Sequence, residues 1–417
     1  MAKGVLINHT LSSNYDIVII GAGIVGLATA KKLSEYSKQK ILVVEAEPKI
    51  AQHQTGNNSG VIHAGLYYKP GSLKAKNCVE GRKLMIDYCE NKGIPFDKCG
   101  KVVVATEESE LKALSTLKER SLANGLTECK ELNSEEIKEH EPHCIGIAGL
   151  YVPDTCIVDY KIVAENYKND IQESDVNIIL NSRVIAIEEG ANEINIEFEQ
   201  HNTIKTKHII NCAGLHSDHI TKMCGLKHDT MIIPFRGEYY EIIKSKRHLV
   251  NNLIYPVPNP EFPFLGVHYT RRIDHSIEAG PNAVLAFKRE GYKKTDFSFS
   301  DMTEVLTFPG FWKMATKYWS VGLNEMKRSY SKIAFTESLQ KLIPSIQDSD
   351  IVSAGAGIRA QAVDRSGKLL DDFKIIESKN MIHVLNAPSP AATASLSIGK
   401  HIAQRASKLF NFPLINS

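Results

Sequence analysis

The chain has 417 residues, 43% of them hydrophobic and 24% charged, which is ordinary globular composition and length enough for two or three domains. Fifty Lys and Arg against 48 Asp and Glu leave a formal charge of +2, so no electrostatic argument recommends a nucleic acid as partner. No window approaches the roughly 18 uninterrupted apolar residues of a membrane span, and the eight cysteines contain no C-x-x-C pair, which fits reduced thiols better than disulfide staples.

The first 14 residues, MAKGVLINHTLSSN, hold one Lys, no Arg and no acid. Their apolar centre is too short for a secretory signal, and a transit peptide wants Arg, which leaves open only a trimmed or very short targeting segment. The sequon Asn8-His9-Thr10 carries little weight without a secretory signal. Structure starts at Asp16–Ile20 (DIVII), a continuous apolar run of the kind a strand buried on both faces requires. Gly21-Ala22-Gly23-Ile24-Val25-Gly26 follows, then the amphipathic run LATAKKLSEY, then a second apolar run ending at Glu45, nineteen residues after Gly26. This strand–turn–helix–strand context is what a dinucleotide fingerprint needs. Gly21 permits the tight turn, Gly23 lets a pyrophosphate approach the backbone, and Gly26 lets helix and strand pack closely. The helix start offers amides and partial positive charge to phosphates. Glu45 is placed to accept from ribose hydroxyls and to repel a 2′-phosphate. The fingerprint does not choose between NAD and FAD.

Three later stretches make that choice. Residues 53–71 (HQTGNNSGVIHAGLYYKPG) are small and polar where a plain nucleotide-binding unit begins its next helix. KHIINCAG (207–214) is a strand closing on Ala213-Gly214. GAGIRAQ (355–361) and NAPSPAAT (386–393) bracket the strand HVL, and the second of them opens the last helix, whose start can offer amides to a flavin carbonyl. With IPFRGEY (233–239), IYPVP (254–258), FPFLGVH (262–268), GPNAVLAFKREGY (280–292) and GIRAQAVDR (357–365), these residues resemble the FAD-dependent D-amino-acid-oxidase-like superfamily, and more narrowly the family of L-2-hydroxyglutarate dehydrogenases. The resemblance runs from Asp16 to the final helix. It implies an α/β fold: a Rossmann-like FAD-binding domain, discontinuous in sequence (14–91, 146–235 and 346–417), with a second, α+β substrate-binding domain (92–145 and 236–345). It implies FAD as cofactor, contacted by the fingerprint and Glu45, by Thr55, Asn58 and Ser59, by Val184, Ala213 and Gly214, and by Gly357, Pro390, Ala391 and Ala392. It also implies a small dicarboxylate substrate and an acceptor other than NAD, a quinone or an electron-transfer protein. The family's compartment is the mitochondrion in eukaryotes and the cytosol or inner membrane in bacteria. No metal site is expected.

The residues argue the chemistry alongside. An alcohol is a weak acid, so oxidising a 2-hydroxy acid needs a positioned base. His63, in SGVIHAG, is the first candidate, with a hydrogen bond to flavin or backbone, or a covalent flavin link, as alternatives. His268 is the second, although a lone His on an apolar strand is more often structural. Arg359 stands where related amino-acid oxidases carry the arginine that clamps the substrate carboxylate, a task suited to a planar guanidinium; the alternative is an ordinary ion pair with Asp364 or a neighbour. Lys69, Arg236, Lys288 and Arg289 are unranked candidates for a second carboxylate. Tyr67, Tyr68 and Tyr255 can add hydroxyls, although such Tyr residues usually pack. The stripe Phe308–Leu323, with both tryptophans, is expected to bury against the substrate domain, and a peripheral membrane contact is the alternative. Two other functions remain: an oxygen-using oxidase of amino acids or other 2-hydroxy acids on the same fold, and a non-catalytic dinucleotide-binding redox sensor. A sensor has no need of a base and a carboxylate clamp together.

Overall fold

The computed structural model describes residues 13–174, 176–200, 203–258, 265–413 and 415. The sequon at Asn8 and residues 262–264 of the FPFLGVH block lie outside the described residues.

Asn14–Ile20 (β1) forms the centre of the first sheet because its run of β-branched residues has cover on both faces, and Ile17, Val18 and Ile19 are wholly buried. It pairs in parallel with Ile41–Val44 (β2) on one side and with Ile204–Asn211 on the other. Asn177–Ile179 and Met381–Asn386 extend the parallel core outwards. Three antiparallel strands, Val184–Glu189, Ile194–Phe198 and Lys374–Ser378, complete an eight-stranded sheet. Helix α1 (Ile24–Tyr36) and the helices Leu73–Lys92, Tyr160–Gln172 and Ser395–Phe410 pack over it around Leu27, Leu33, Met85, Tyr167 and Ile402. The last helix crosses α1 so closely that a Cβ on Gly399 would lie 2.5 Å from the Ala28 carbonyl oxygen.

The second sheet has nine strands, in the order Val284–Leu285, Thr230–Ile242, Ile277–Gly280, His268–Arg271, Leu253–Pro256, Lys101–Ala105, Ala148–Val152 and Lys130–Asn133. The strand Ile351–Asp364 lies along the other side of Thr230–Ile242. These two long strands form an antiparallel ribbon in which Arg359 stands opposite Phe235. The ribbon does not follow the division expected from sequence. A boundary at 235/236 cuts through the strand Thr230–Ile242, and Ala148–Val152 and Ile351–Asp364, assigned to the FAD-binding part, pair within the second sheet.

The aromatic stripe also departs from expectation. Pro309–Tyr330 is helical, with a non-helical residue at Tyr318. Phe308 and Met314 are buried, but Trp312 and Trp319 are 54% and 64% exposed, and Leu323 and Tyr330 are exposed with them. The helix faces the protein with its smaller residues and keeps its largest aromatic surface outside. Among the described residues no helix is long and apolar enough to cross a membrane.

Candidate active site

The turn after β1 has the geometry its glycines require. Gly21 has φ +105°, and a Cβ there would lie 2.5 Å from the Cys212 carbonyl oxygen. A Cβ on Gly26 would lie 2.0 Å from the Gly21 carbonyl oxygen, whereas one on Gly23 would meet only Thr55 Oγ1, at 3.4 Å. Space in front of Gly23 is therefore left for something other than protein. No side chain caps the start of α1 and no acid occupies its first turn, so its positive end stays uncompensated. Thr55 Oγ1 accepts from the Ile24 N–H at 2.9 Å and docks the polar loop onto that helix start. Glu45 Oε2 accepts from the Ala22 N–H at 2.8 Å and Oε1 from the Glu47 N–H at 3.0 Å, while burial raises its pKa.

A cavity of about 600 Å³ opens in front of this turn, within the range of ligand pockets. It gathers most of the residues singled out in the sequence: Gly21, Gly23, Ile24 and Val25; Glu45; Thr55, Asn58 and Ser59; Val184; Ala213 and Gly214; Pro390, Ala391 and Ala392; and His63. Three expected contacts do not line it. Ala22 is buried and spends its N–H on Glu45. Gly26 is packed beneath the turn, and Gly357 lets its strand pass Asn57, whose carbonyl oxygen would lie 2.6 Å from a Cβ there.

The cavity carries a charged cluster that the sequence did not announce. Glu290 accepts from His216 at 2.8 Å and is pulled down to about 2 by that bond. His53 stands 3.3 Å from Glu47 and 3.6 Å from Glu290; burial opposes its charge, but the carboxylates prevail and raise its pKa. Glu47, His53 and Glu290 could together face a cation, yet Arg183 Nη2, 3.1 Å from Glu47 and 3.7 Å from Glu290, already supplies positive charge. These five residues come from four separate segments, so no spacing betrays them.

His63 is fixed by its backbone: its N–H donates to Thr393 Oγ1 at 3.1 Å, and Tyr160 joins Thr393 to the Val61 carbonyl. The two most distinctive sequence blocks, 53–71 and 386–393, are thereby tied together. His63 Nδ1 is buried with no hydrogen-bond partner. Burial, then the positive charge of Lys101, push the imidazole down to about 3, so it is neutral at pH 7. His268, Lys74 and Arg359 also act on it electrostatically, which groups both histidines and the arginine around one region. His268 Nδ1 is 2.8 Å from the Gly266 carbonyl oxygen, its ring is 4.0 Å from that of Tyr255, and burial pushes it down to about 4. Arg359 keeps accessible surface although protein surrounds it, and Asp371 and the Tyr239 and Tyr68 hydroxyls are the ionisable groups that bear on it. Asp364, the alternative partner, takes its hydrogen bonds from Ser366 and Lys368.

The four cations offered for a second carboxylate go elsewhere. Lys69 is exposed. Arg236 is buried and donates to Glu238 from Nε (3.1 Å) and Nη2 (3.0 Å). Arg289 is buried against Asp218 at 2.7 Å and Glu304 at 3.3 Å. Lys288 lines a smaller adjoining hollow with Tyr292 and Lys293. Tyr255 is buried, its hydroxyl 3.5 Å from Thr270 Oγ1. A buried cation that does reach this region is Lys101, at the head of the strand Lys101–Ala105. It is 1% exposed, with Nζ 4.5 Å from the Tyr67 ring centroid and 4.9 Å from that of Tyr255. Its only signal in the sequence is a charge at the head of a wholly buried apolar strand, KVVVA.

Comparison with known proteins agrees with this geometry. The family model described as FAD dependent oxidoreductase matches residues 16–405. L-2-hydroxyglutarate dehydrogenase of Indibacter alkaliphilus is 53% identical over 95% of this chain and 100% of its own length. The Escherichia coli K12 protein of that name is 45% identical, over 95% and 94%. Human L-2-hydroxyglutarate dehydrogenase, mitochondrial, is 44% identical, over 96% and 90%. Among solved structures, L-alpha-glycerophosphate oxidase of Mycoplasma pneumoniae with FAD bound superposes with a TM-score of 0.78 at 25% identity, covering 97% of this chain and 96% of that one. With fold, fingerprint and relatives in agreement over nearly its whole length, the chain belongs to the FAD-dependent oxidoreductases and, among them, to the L-2-hydroxyglutarate dehydrogenase family.

Proposed function

We propose that this chain oxidises L-2-hydroxyglutarate to 2-oxoglutarate with FAD held in the cavity described above. The observation that carries the reading is a neutral His63 whose Nδ1 is buried and unpartnered, grouped with Arg359 and lining the same cavity as the dinucleotide turn. The uncapped start of α1 and the open space before Gly23 suit a pyrophosphate, and Glu45 suits a ribose. FAD held there would supply a two-electron acceptor for the hydride that leaves substrate C2. Arg359 holds the C1 carboxylate through a two-point contact and so fixes C2. His63 takes the hydroxyl proton on its imidazole; its depressed pKa keeps the ring free to accept, and the incoming carboxylates offset the surrounding positive charge. His268, with Nδ1 engaged to Gly266, buttresses Tyr255.

The electrons pass to an acceptor other than NAD, a quinone by preference. The exposed face of Trp312, Trp319 and Leu323 beside Lys313 and Lys317 supports a peripheral contact with a membrane, where quinones reside. The compartment follows the cell, mitochondrial in a eukaryote and cytoplasmic or inner-membrane-associated in a bacterium; the human relative's name says mitochondrial. The test is an acceptor assay on the purified flavoprotein with L-2-hydroxyglutarate and, in turn, quinone in anionic vesicles, a soluble quinone, oxygen and NAD. The expected result is 2-oxoglutarate with either quinone, and a Trp312→Ser/Trp319→Ser variant that is slower only with vesicles. Stoichiometric peroxide with oxygen and no quinone reduction would make the protein an oxidase.

A further inference from the structure

The ammonium of Lys101 is the buried charge that the proposed mechanism leaves unused. Among the described residues no carboxylate or carbonyl accepts a hydrogen bond from it, and its close neighbours are the faces of Tyr67 and Tyr255. The ionisable groups that act on it are the thiols of Cys129 and Cys78, both held protonated by burial. A buried cation without a counter-ion is costly, and rings attract it far less than an anion does. The Tyr67 hydroxyl beside it is also buried without a hydrogen-bond partner. Lys101 supplies the largest charge effect on His63 and also acts on His268, so this ammonium and hydroxyl adjoin the reaction region. An ammonium and a hydroxyl donor, neither with a hydrogen-bond partner among the described residues, describe an anion site awaiting its anion.

We infer that Lys101, with the Tyr67 hydroxyl, holds the distal carboxylate of a dicarboxylate substrate, at the opposite end from the carboxylate held by Arg359. The inference rests on the proposed function, in which the substrate bears two carboxylates. It deepens that reading by assigning substrate selectivity to a residue on the second sheet. Arg359 selects a 2-hydroxy acid. Lys101 selects the acid that carries a second charge one chain length away.

The experiment compares L-2-hydroxyglutarate with L-2-hydroxypentanoate, which has the same carbon chain but ends in a methyl group. In the wild type the dicarboxylate should be strongly preferred. In Lys101→Met, kcat/KM for L-2-hydroxyglutarate should fall about ten- to a hundredfold, mostly through KM, as expected for loss of a charge-assisted contact. L-2-hydroxypentanoate should be oxidised as before or better, so that the preference collapses. Equal losses on both substrates, or no loss on either, would overturn the assignment. A wild type that does not prefer the dicarboxylate would overturn the proposed substrate itself, a result visible before any variant is made.

Should Lys101→Met fail to fold, the wild type carries the test alone. Burial pushes Lys101 down to about 7, so the preference for the dicarboxylate should decline as pH rises through about 7 to 9. The other groups facing Lys101 do not titrate there: His63 and His268 are neutral below that window, and burial raises Tyr67, Tyr255, Cys78 and Cys129 above their ordinary values. A preference that stays flat from pH 6 to 9 would overturn the assignment as well.

Discussion

At the scale of single residues, Arg359 and His63 are expected to fail in different ways when replaced. Arg359→Lys keeps a charge but loses the planar two-point contact, so kcat/KM should fall at least about tenfold, with kcat lowered because the substrate is free to turn away from the flavin. Flavin content should stay normal, since the residues lining the cavity around the dinucleotide turn are untouched. His63→Ala should lower kcat by about a hundredfold or more, with part of the loss recovered at high pH, where hydroxide replaces the missing base. In the wild type, a base held near 3 stays neutral well below the ordinary histidine range, so the acid limb of kcat/KM should lie clearly under pH 6.5. Steady-state kinetics across pH, with flavin absorbance read on each sample, checks these outcomes; flavin-free Arg359→Lys with normal kinetics after reconstitution would make Arg359 structural. The sequence shows these two residues because each sits in a distinctive local block. Lys101 was missed because its surroundings come from Tyr67 and Tyr255, far away along the chain, and the decoys Arg236 and Arg289 looked equally cationic until their partners Glu238 and Asp218 were known.

At the scale of elements, the β1–α1 turn is legible because every requirement of it is local: an apolar strand, three glycines at fixed offsets, and an acid at the end of β2. The roles of its glycines can be separated by experiment. Gly26→Ala puts a methyl 2.0 Å from the Gly21 carbonyl oxygen and should cost about 1–3 kcal/mol of stability, seen as a lower Tm even without flavin. Gly23→Ala meets nothing closer than 3.4 Å, so the flavin-free protein should melt almost as the wild type does while binding FAD at least about tenfold more weakly, the added methyl standing where the phosphates approach. Equal FAD affinity in Gly23→Ala and wild type would remove the pyrophosphate from this turn. The aromatic helix was less legible: spacing identifies a stripe but not which side of it meets the protein. The structure turns Trp312 and Trp319 outwards.

At the scale of the whole molecule, two sheets share one ligand region. The parallel sheet and its helices supply the cavity's dinucleotide turn, while the second sheet brings Arg359, His268 and Lys101 to the neighbourhood of His63. A parallel sheet assembled from residues 14–20, 41–44, 177–179, 204–211 and 381–386 is recognisable in sequence as scattered apolar runs. The ribbon of Thr230–Ile242 and Ile351–Asp364 is not, because its pairing spans more than a hundred residues and the burial along its strands follows no simple alternation. The central claim is that this shared region oxidises one enantiomer of one dicarboxylate using bound FAD. The most direct measurement is to mix the purified, flavin-loaded protein anaerobically with L-2-hydroxyglutarate, D-2-hydroxyglutarate and L-lactate in separate runs and follow the flavin's visible absorbance band. The account predicts rapid bleaching by L-2-hydroxyglutarate alone; bleaching by lactate or the D-enantiomer but not by L-2-hydroxyglutarate would contradict it.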